Sequence, residues 1–314
     1  MAVTNGWGQA AVNNTIDYGK GKTTATNNWG EIYDSSASGD TSLGTAAAPS
    51  LLLDTYTNSA VAYSLRKLSS TYSGSAIRVR RSNDNAEQDI GFLNNELDTT
   101  SLTSFIGSND GLVTTIYDQS GNGNNLTQST AVNQGVIASS GSVNTVNSKP
   151  CINLNASPVF YQSLSSLSGN SKSFFMTTKN NGADSGFYHN LFIISTSVTV
   201  TGNFAQLYST NASNSLIFNF KTAGLDITTS QAWTSQTLIS GIKSESSSSS
   251  ELFKNGASIG TGSGTQNLQT NLFVNRYSNN YANQQLQELI MFDTDESSNR
   301  SDIETNINNF YTIF

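Results

Sequence analysis

From Ile77 onward, the chain is a succession of short apolar or alternating segments separated by clusters of turn-forming residues. The segments are AIRVRR, DIGFL, GLVTTIYD, FFMTT, NLFIIST, NSLIFNF, QTLISGI, ELFKNGASIG, LFVNRY and LQELIMFD. Many short strands with frequent turns are typical of antiparallel sandwiches, in which each strand buries one face. The sequence therefore predicts a mostly β, antiparallel jelly-roll sandwich with two short helices, preceded by an extended N-terminal arm.

The composition favours this sheet structure over disorder. Only 12% of the residues are charged and 36% are hydrophobic, and small polar residues make up the difference. A disordered chain combines low hydrophobicity with high charge and few aromatics, whereas this one has 10% aromatic residues and 3 prolines. The net charge of −7 argues against nucleic acid as a partner, because phosphates are bound by clustered Lys and Arg.

No apolar run approaches the length that spans a bilayer, and the first residues lack the basic and apolar regions of a signal peptide. We therefore expect neither membrane insertion nor secretion through a cleaved leader. The single cysteine, Cys151, excludes an intrachain disulfide, and its surroundings indicate a buried residue at the start of a strand. We expect no cofactor and no metal site, and His189, alone in the chain, is expected in a loop or in the core.

Three aromatic residues that precede glycines recur at a fixed spacing near the N-terminus: Trp7, Tyr18 and Trp29. A short period indicates a unit that must stack to bury its apolar side chains. The sequence thus predicts a repeat arm over residues 1–34 for attachment or oligomerisation, a linker over 35–50 and a sandwich over 51–314. Because one arm is too small to form a core, we expect a homotrimer through residues 1–45. A flexible leader is the alternative.

Local patterns predict three further elements. Apolar residues at helical spacing predict a helix over Thr55–Ser69, and Ser301 three residues before Glu304 has the spacing of a capping box for a C-terminal helix. Tyr311–Phe314 is expected to be a last strand. Asn255-Gly256 between apolar residues predicts a hairpin with a type I′ turn.

The segment Asp118–Asn125 is rich in Asp, Asn and Gly. It favours a tight turn in which Asp118 and Asn122 bond local backbone amides. A calcium site and direct contact with a sugar remain as alternatives. The acidic cluster Asp293, Asp295 and Glu296 is interpreted as charge at the N-terminus of the last helix rather than as a metal site.

Two longer segments carry a family resemblance. The run YDQSGNGNNLTQ begins at Tyr117, and AYSLRKLSSTYSGSAIRVRRSNDNAEQDIGF extends from Ala62 to Phe92. Together they resemble the catalytic domain of the fungal α-L-arabinofuranosidase B family, a concanavalin-A-like sandwich related to laminin-G-like domains. With the glycine-aromatic arm and the end of the chain at 288–311, they also resemble a set of bacteriophage virion proteins.

The hydrolase resemblance implies a nucleophilic Glu on the strand that matches Ser215–Gly224, and an acid near Arg276–Tyr277. Retaining glycosidases need two carboxylates. Neither matching stretch contains one, and no carboxylate lies between Glu251 and Glu288. The sequence therefore predicts that the chain is not an enzyme.

A surface that binds sugars needs flat aromatic rings with planar polar groups around them. Five residues have that composition, and they form the candidate glycan site: Trp233, Arg276, Tyr277, Asn280 and Tyr281. The alternative is that they belong to a long surface loop without a ligand.

These observations predict a phage virion structural protein of the head or tail. It would be located on the virion, bound to other virion proteins, and would display the sandwich for adhesion to host-surface glycans. A glycoside hydrolase of arabinofuranosidase type and a purely structural capsid or tail component are the alternatives.

Overall fold

A computed structural model gives the structure of the protein. It describes residues 24–26, 32–34, 50–154, 160–163, 172–181, 188–195, 205–210, 216–220, 226–244, 249–263, 271–275 and 282–314. The chain divides into two compact units, Met1–Pro49 and Ser50–Phe314.

In the first unit, strands β1 (Thr24–Thr26) and β2 (Ile32–Asp34) pair antiparallel. Trp7, Tyr18 and Trp29 lie outside the described residues. The arm over 1–34, the linker over 35–50 and the homotrimer therefore stay predictions.

In the second unit, the described residues form three α-helices, one 3₁₀ turn and the remaining strands. The helices are α1 (Leu52–Thr55), α2 (Thr99–Ile106) and α3 (Arg300–Tyr311), and the 3₁₀ turn is Ala131–Asn133. The strands of its first half are β3 (Ser59–Ser64), β4 (Ile77–Arg81), β5 (Glu87–Ile90), β6 (Phe92–Leu93), β7 (Glu96–Leu97), β8 (Gly111–Ile116), β9 (Leu126–Thr127), β10 (Gly135–Ser139), β11 (Ser142–Val143), β12 (Thr145–Val146), β13 (Lys149–Pro150) and β14 (Ile152–Leu154). Those of its second half are β15 (Phe160–Ser163), β16 (Lys172–Asn180), β17 (Tyr188–Ser195), β18 (Ala205–Thr210), β19 (Leu216–Phe220), β20 (Asp226–Thr228), β21 (Thr237–Ser244), β22 (Ser249–Lys254), β23 (Ala257–Ser263), β24 (Asn271–Val274) and β25 (Gln284–Phe292).

The strands form two antiparallel layers. The strand pairings give the first layer the order β23-β22-β21-β16-β25-β3. They give the second layer the order β20-β19-β18-β17-β24-β15-β9-β8-β4-β5. Strands β10 and β14 connect β8 of the second layer to β25 of the first. The prediction of an antiparallel sandwich with short helices is confirmed, although the described residues form three α-helices rather than two.

The main core lies between the two layers. Phe174 of β16 contacts Phe192 of β17 edge to face, with ring centroids 4.9 Å apart, and Phe218 of β19 lies on its other side. Gly241 lies under the same ring, and a Cβ atom there would approach Phe174 to 2.2 Å. A larger residue at Gly241 would therefore force this central contact apart.

A second core covers the other face of the first layer. Ile303 and Ile307 of α3 pack there with Phe175 of β16 and Phe292 of β25. Strands β3 and β25 thus lie between two cores, and every residue of both strands is buried.

This double burial explains why the predicted helix over Thr55–Ser69 is wrong. The segment instead forms the end of α1, which stops at Thr55, followed by β3. A strand that is buried on both faces is continuously apolar, and such a run also satisfies helical spacing.

Helix α3 confirms the predicted C-terminal helix but not its ends. It begins after Asn299, so Ser301 lies inside the helix and does not cap it. Glu304 accepts hydrogen bonds from Ser240 and Arg300 instead of closing a capping box. The helix continues to Tyr311, and the last three residues form no strand.

The Asn255-Gly256 hairpin between β22 and β23 is confirmed. Asn255 has φ 50° and Gly256 has φ 80°, the pair of positive values that a type I′ turn requires. Among the residues that the structure describes, no helix is long and apolar enough to cross a membrane.

A buried ion pair ties β25 to the segment after β3. Arg66 donates to both carboxylate oxygens of Glu288, at 2.8 and 3.1 Å, and to Asn306 of α3 at 2.9 Å. Ser64 also donates to Glu288, at 2.6 Å. The Glu288 side chain has no exposed surface, so these bonds replace its hydration.

We expect Glu288→Gln to destabilise the protein by about 3–5 kcal/mol, because it leaves the Arg66 guanidinium buried without a counter-charge. Urea unfolding monitored by tryptophan fluorescence measures the change. The matched control is Glu87→Gln, which removes an exposed partner of Arg78 and should leave the midpoint unchanged. Equal midpoints for both variants would contradict the structural role of the buried pair.

Candidate functional site

Both oxygens of the Asp118 carboxylate accept hydrogen bonds from other groups of the protein. One oxygen accepts from the backbone N–H groups of Ala62 at 2.9 Å and Ser120 at 3.0 Å. The other accepts from the N–H of Asn124 at 3.0 Å and from the Ser120 hydroxyl at 2.7 Å. The predicted tight turn is confirmed for Asp118, and these four donors occupy the oxygens that a sugar or a cation would need.

The neighbouring amides hold the same part of the chain. The Gln119 side chain accepts from the N–H of Leu68 at 2.8 Å and donates to the carbonyls of Ser64 and Arg66, both at 3.0 Å. Asn122 donates to the carbonyls of the first two residues of β3, not to local amides as predicted. The most specific motif of the sequence therefore forms hydrogen bonds to the backbone of β3 and of the segment that follows it. We call this set of bonds the clamp.

We expect Asp118→Ala to lower the melting temperature strongly. It leaves three N–H groups without their acceptor, and each buried unpaired donor costs about 1–3 kcal/mol. Differential scanning calorimetry measures the loss. Asp84→Ala is the matched control, since Asp84 also accepts from the N–H two residues on but is exposed. A loss for Asp118→Ala no larger than that of the control would contradict the clamp.

A different face of the sandwich corresponds to the stretch that the resemblance assigns to the nucleophile. Ser215–Gly224 includes β19, which pairs with β18, and β18 pairs with β17. Phe192 and Leu207 of these strands face the main core. Asn190, Tyr208 and Gln206 alternate with them and share the opposite face, which we call the second face of the β17–β20 sheet.

Two buried amides on the second face have polar atoms without hydrogen bonds among the described residues. Asn190 is 1% exposed, and neither its Oδ1 nor its Nδ2 has a partner among the described residues. Gln206 is 7% exposed, and its Oε1 also has none in that part of the chain. Buried amides are normally paired, and each exception calls for an explanation. Planar amides that are free to bond are what sugar hydroxyls require.

The strand register brings a carboxylate residue next to these amides. Gln206 lies opposite Asn219, and Asn219 lies opposite Asp226 on β20. Asp226 was missed by the sequence analysis, which looked for an acid only inside the matching stretch. Only the pairing of β19 with β20 reveals it, because the two residues are neighbours across strands and not along the chain.

Of the five predicted glycan residues, the structure describes only Trp233. Trp233 has no exposed surface and packs in the main core, so it presents no ring to a sugar, contrary to the prediction. Arg276, Tyr277, Asn280 and Tyr281 lie outside the described residues. Trp233 is apolar enough to fill the interior, and the composition of a segment does not distinguish that role from stacking on a ligand.

Two clefts lie elsewhere on the second unit. One, of about 380 Å³, is lined by Glu251, Asp295 and Arg300, and Arg300 stacks over the Phe253 ring. The other, of about 360 Å³, is lined by Tyr72 and by hydroxyl and amide groups of the Asp118 loop and its neighbours. Neither includes the second face.

The acidic cluster before α3 does not supply charge to the first turn of that helix, contrary to the prediction, because the acid there is Asp302. Partial burial of Asp295 raises its pKa, but hydrogen bonds from Ser244 and Ser297 outweigh this and hold the pKa below its usual value. Asp293 contacts Lys172. Within the described ranges, no three His, Cys, Asp or Glu side chains group to hold a metal ion.

The remaining candidates have structural positions. His189 lies on β17. Cys151 is buried as predicted, between β13 and β14, and burial raises the pKa of its thiol to about 12. A thiol with that pKa is protonated at neutral pH and is a poor nucleophile.

Comparison with known proteins shows where this architecture occurs. A family model described as alpha-L-arabinofuranosidase B, catalytic, matches residues 53–206, just under half of the chain. A crystal structure of arabinofuranosidase complexed with arabinofuranosyl-α-1,2-xylobiose is similar over 82% of this chain, with a TM-score of 0.62 and 16% identity. A GH54 α-L-arabinofuranosidase soaked with 4-nitrophenyl α-L-arabinofuranoside gives a TM-score of 0.60 and 16% identity.

What is shared is the fold. The chain spans 64% of the length of each of these two structures. Comparison with curated proteins gives no match.

These findings correct two predictions. The family model and the similar structures point to a glycoside hydrolase and not to a phage virion protein, so the predicted virion function is wrong. The location on the virion stays a prediction. The prediction that the chain is not an enzyme is wrong for the same reason. Both predictions gave too much weight to the N-terminal repeats and to the acids missing from two short stretches.

Proposed function

We propose that the chain is a glycoside hydrolase of arabinofuranosidase type that acts at the second face of the β17–β20 sheet. The observation that carries the proposal is the match of residues 53–206 to the arabinofuranosidase catalytic model. The matched range includes β17, with the unpaired amide of Asn190, and ends at Gln206 on β18.

The second face offers one acid and two amides for such a reaction. Glycosidases flank the scissile bond with two carboxylates, one to protonate the leaving group and one to act as base or nucleophile. Asp226 provides one of them at its register position beside Asn219. The Asn190 amide and Oε1 of Gln206 bind the sugar hydroxyls, and these atoms, which have no partner among the described residues, gain hydrogen bonds when the sugar binds. Among the described residues of this face, Asp226 is the only acid.

We expect the purified protein to release 4-nitrophenol from 4-nitrophenyl α-L-arabinofuranoside. Asp226→Asn should lower kcat by about 10²–10⁴-fold, the usual contribution of one general acid or base. Absorbance of the released nitrophenolate, stopped with base, measures the rate.

The matched control for that assay is Asp295→Asn, which neutralises an acid in a separate cleft and should retain the wild-type rate. An absence of hydrolysis by the wild-type protein would contradict the hydrolase proposal. Hydrolysis that survives Asp226→Asn would place the chemistry on other carboxylates.

The Asn190 side chain leads to a further prediction, in which a substitution weakens ligand binding without lowering the stability of the fold. Asn190→Leu should not lower the melting temperature, because it removes two buried polar atoms that have no partners among the described residues. The same change should weaken binding of the arabinofuranoside about tenfold, equivalent to one lost hydrogen bond of about 1.4 kcal/mol. Calorimetric titration and thermal unfolding measure the two effects.

Gln284→Leu is the control for this variant. The Gln284 amide is buried near β17 but fully bonded, since it donates to Leu191 and Asn275 and accepts from Thr178. Its loss should therefore destabilise the fold. If Asn190→Leu is as destabilising as Gln284→Leu, Asn190 has a structural role, and the argument for ligand binding at this residue is wrong.

A further inference from the structure

The side chains of Lys172 and Asp293 are in contact at one end of the first layer, where β16 begins and β25 has just ended. Ser173 of β16 lies directly opposite Phe292 of β25, so Lys172 and Asp293 are the next facing pair. The Lys172 amine is in direct contact with the Asp293 carboxylate. The Lys172 side chain is 8% exposed and that of Asp293 is 28% exposed.

An ordinary ion pair does not account for this contact. A lysine ammonium has three protons to donate, yet Nζ of Lys172 makes no hydrogen bond within the described structure, and neither does Oδ1 of Asp293. Both atoms are shielded from water. A buried charge without hydrogen bonds is among the most costly groups that a protein can contain.

A second lysine adjoins the pair. Lys243 of β21 lies directly opposite Lys172 on the other side of β16 and is 1% exposed. Burial, and then the positive charge of Lys243, lower the pKa of Lys172 to about 8. A substantial fraction of the Lys172 amine is therefore neutral near physiological pH, and the neutral amine is the nucleophilic form.

We propose that Lys172 and Asp293 are joined by an intramolecular isopeptide bond. The lone pair of the neutral Lys172 Nζ attacks Cγ of the protonated Asp293 carboxyl group. The N–C bond forms, one C–O bond breaks, and the hydroxyl leaves with a proton from the amine as water. The step needs no oxidant or other reactant, and the adjacent Lys243 ammonium stabilises the negative charge that develops on the carbonyl oxygen.

The product resolves the energetic problem of the contact. An amide replaces a buried ammonium and a partly exposed carboxylate, so two charges disappear from a site where Nζ of Lys172 and Oδ1 of Asp293 have no hydrogen bonds among the described residues. The link would join the start of β16 to the end of β25. A covalent link between distant parts of a chain stabilises the fold by restricting the unfolded state, as a disulfide does. The chain has one cysteine and no intrachain disulfide to provide that effect.

Mass spectrometry of the full-length protein tests the proposal. Under denaturing conditions, the intact mass should be lower than the mass of the sequence by one water. Trypsin should not cleave after Lys172, and the digest should contain one branched peptide with both Lys172 and Asp293. The branched peptide also distinguishes the link from loss of water elsewhere in the chain.

Variants complete the test. Lys172→Arg and Asp293→Ala should each have the full sequence mass, whereas Lys179→Arg, on the same strand, should still lose one water. Asp293→Asn should form the same bond with loss of ammonia. If a variant fails to fold, the peptide map of the wild-type protein decides the question by itself. An unmodified wild-type mass together with cleavage after Lys172 overturns the proposal, and the result is independent of any glycosidase activity.

Discussion

The hydrogen bonds that the Asp118 carboxylate and the Gln119 amide make to residues 59–68 are the constraint on which the sandwich depends. Strand β3 has the main core on one face and the helix-covered core on the other. Such a strand cannot be positioned by contrast between an apolar and a polar face. Directional bonds to its backbone fix it instead, and the pair of Arg66 with Glu288 then ties it to β25.

This arrangement accounts for the most specific motif of the sequence without any ligand. A carboxylate that accepts four hydrogen bonds from its own chain has no capacity left for catalysis. The buried amide of Asn190 and Oε1 of Gln206, by contrast, have no partner among the described residues and are available to a ligand. A fold supports many functions, so the site and not the architecture decides the activity.

In the described part of the chain, three ion pairs with a buried side chain contribute to contacts between distant segments. Arg66 and Glu288 join the segment after β3 to β25, and Arg300 and Glu304 join α3 to the β22–β23 hairpin through Phe253. Lys172 and Asp293 join β16 to the segment after β25. The first two pairs have hydrogen bonds that compensate for desolvation. The third has none at Nζ of Lys172 or Oδ1 of Asp293 within the described residues, and the proposed covalent link rests on this difference.

The sequence by itself determined the features that arise from local chemistry. Alternating segments and turn residues predicted an antiparallel sandwich, and Asn255-Gly256 predicted its hairpin, because the handedness of a two-residue turn is set by the residues within it. Only the tertiary structure decided which face of each segment is buried and which residues that face contacts. Periodicity could not show that β3 is enclosed by two cores, that Trp233 points inward, or that Asp226 lies beside Asn219. These outcomes depend on the register between strands and on the number of layers, and both are fixed by contacts between residues far apart in the chain.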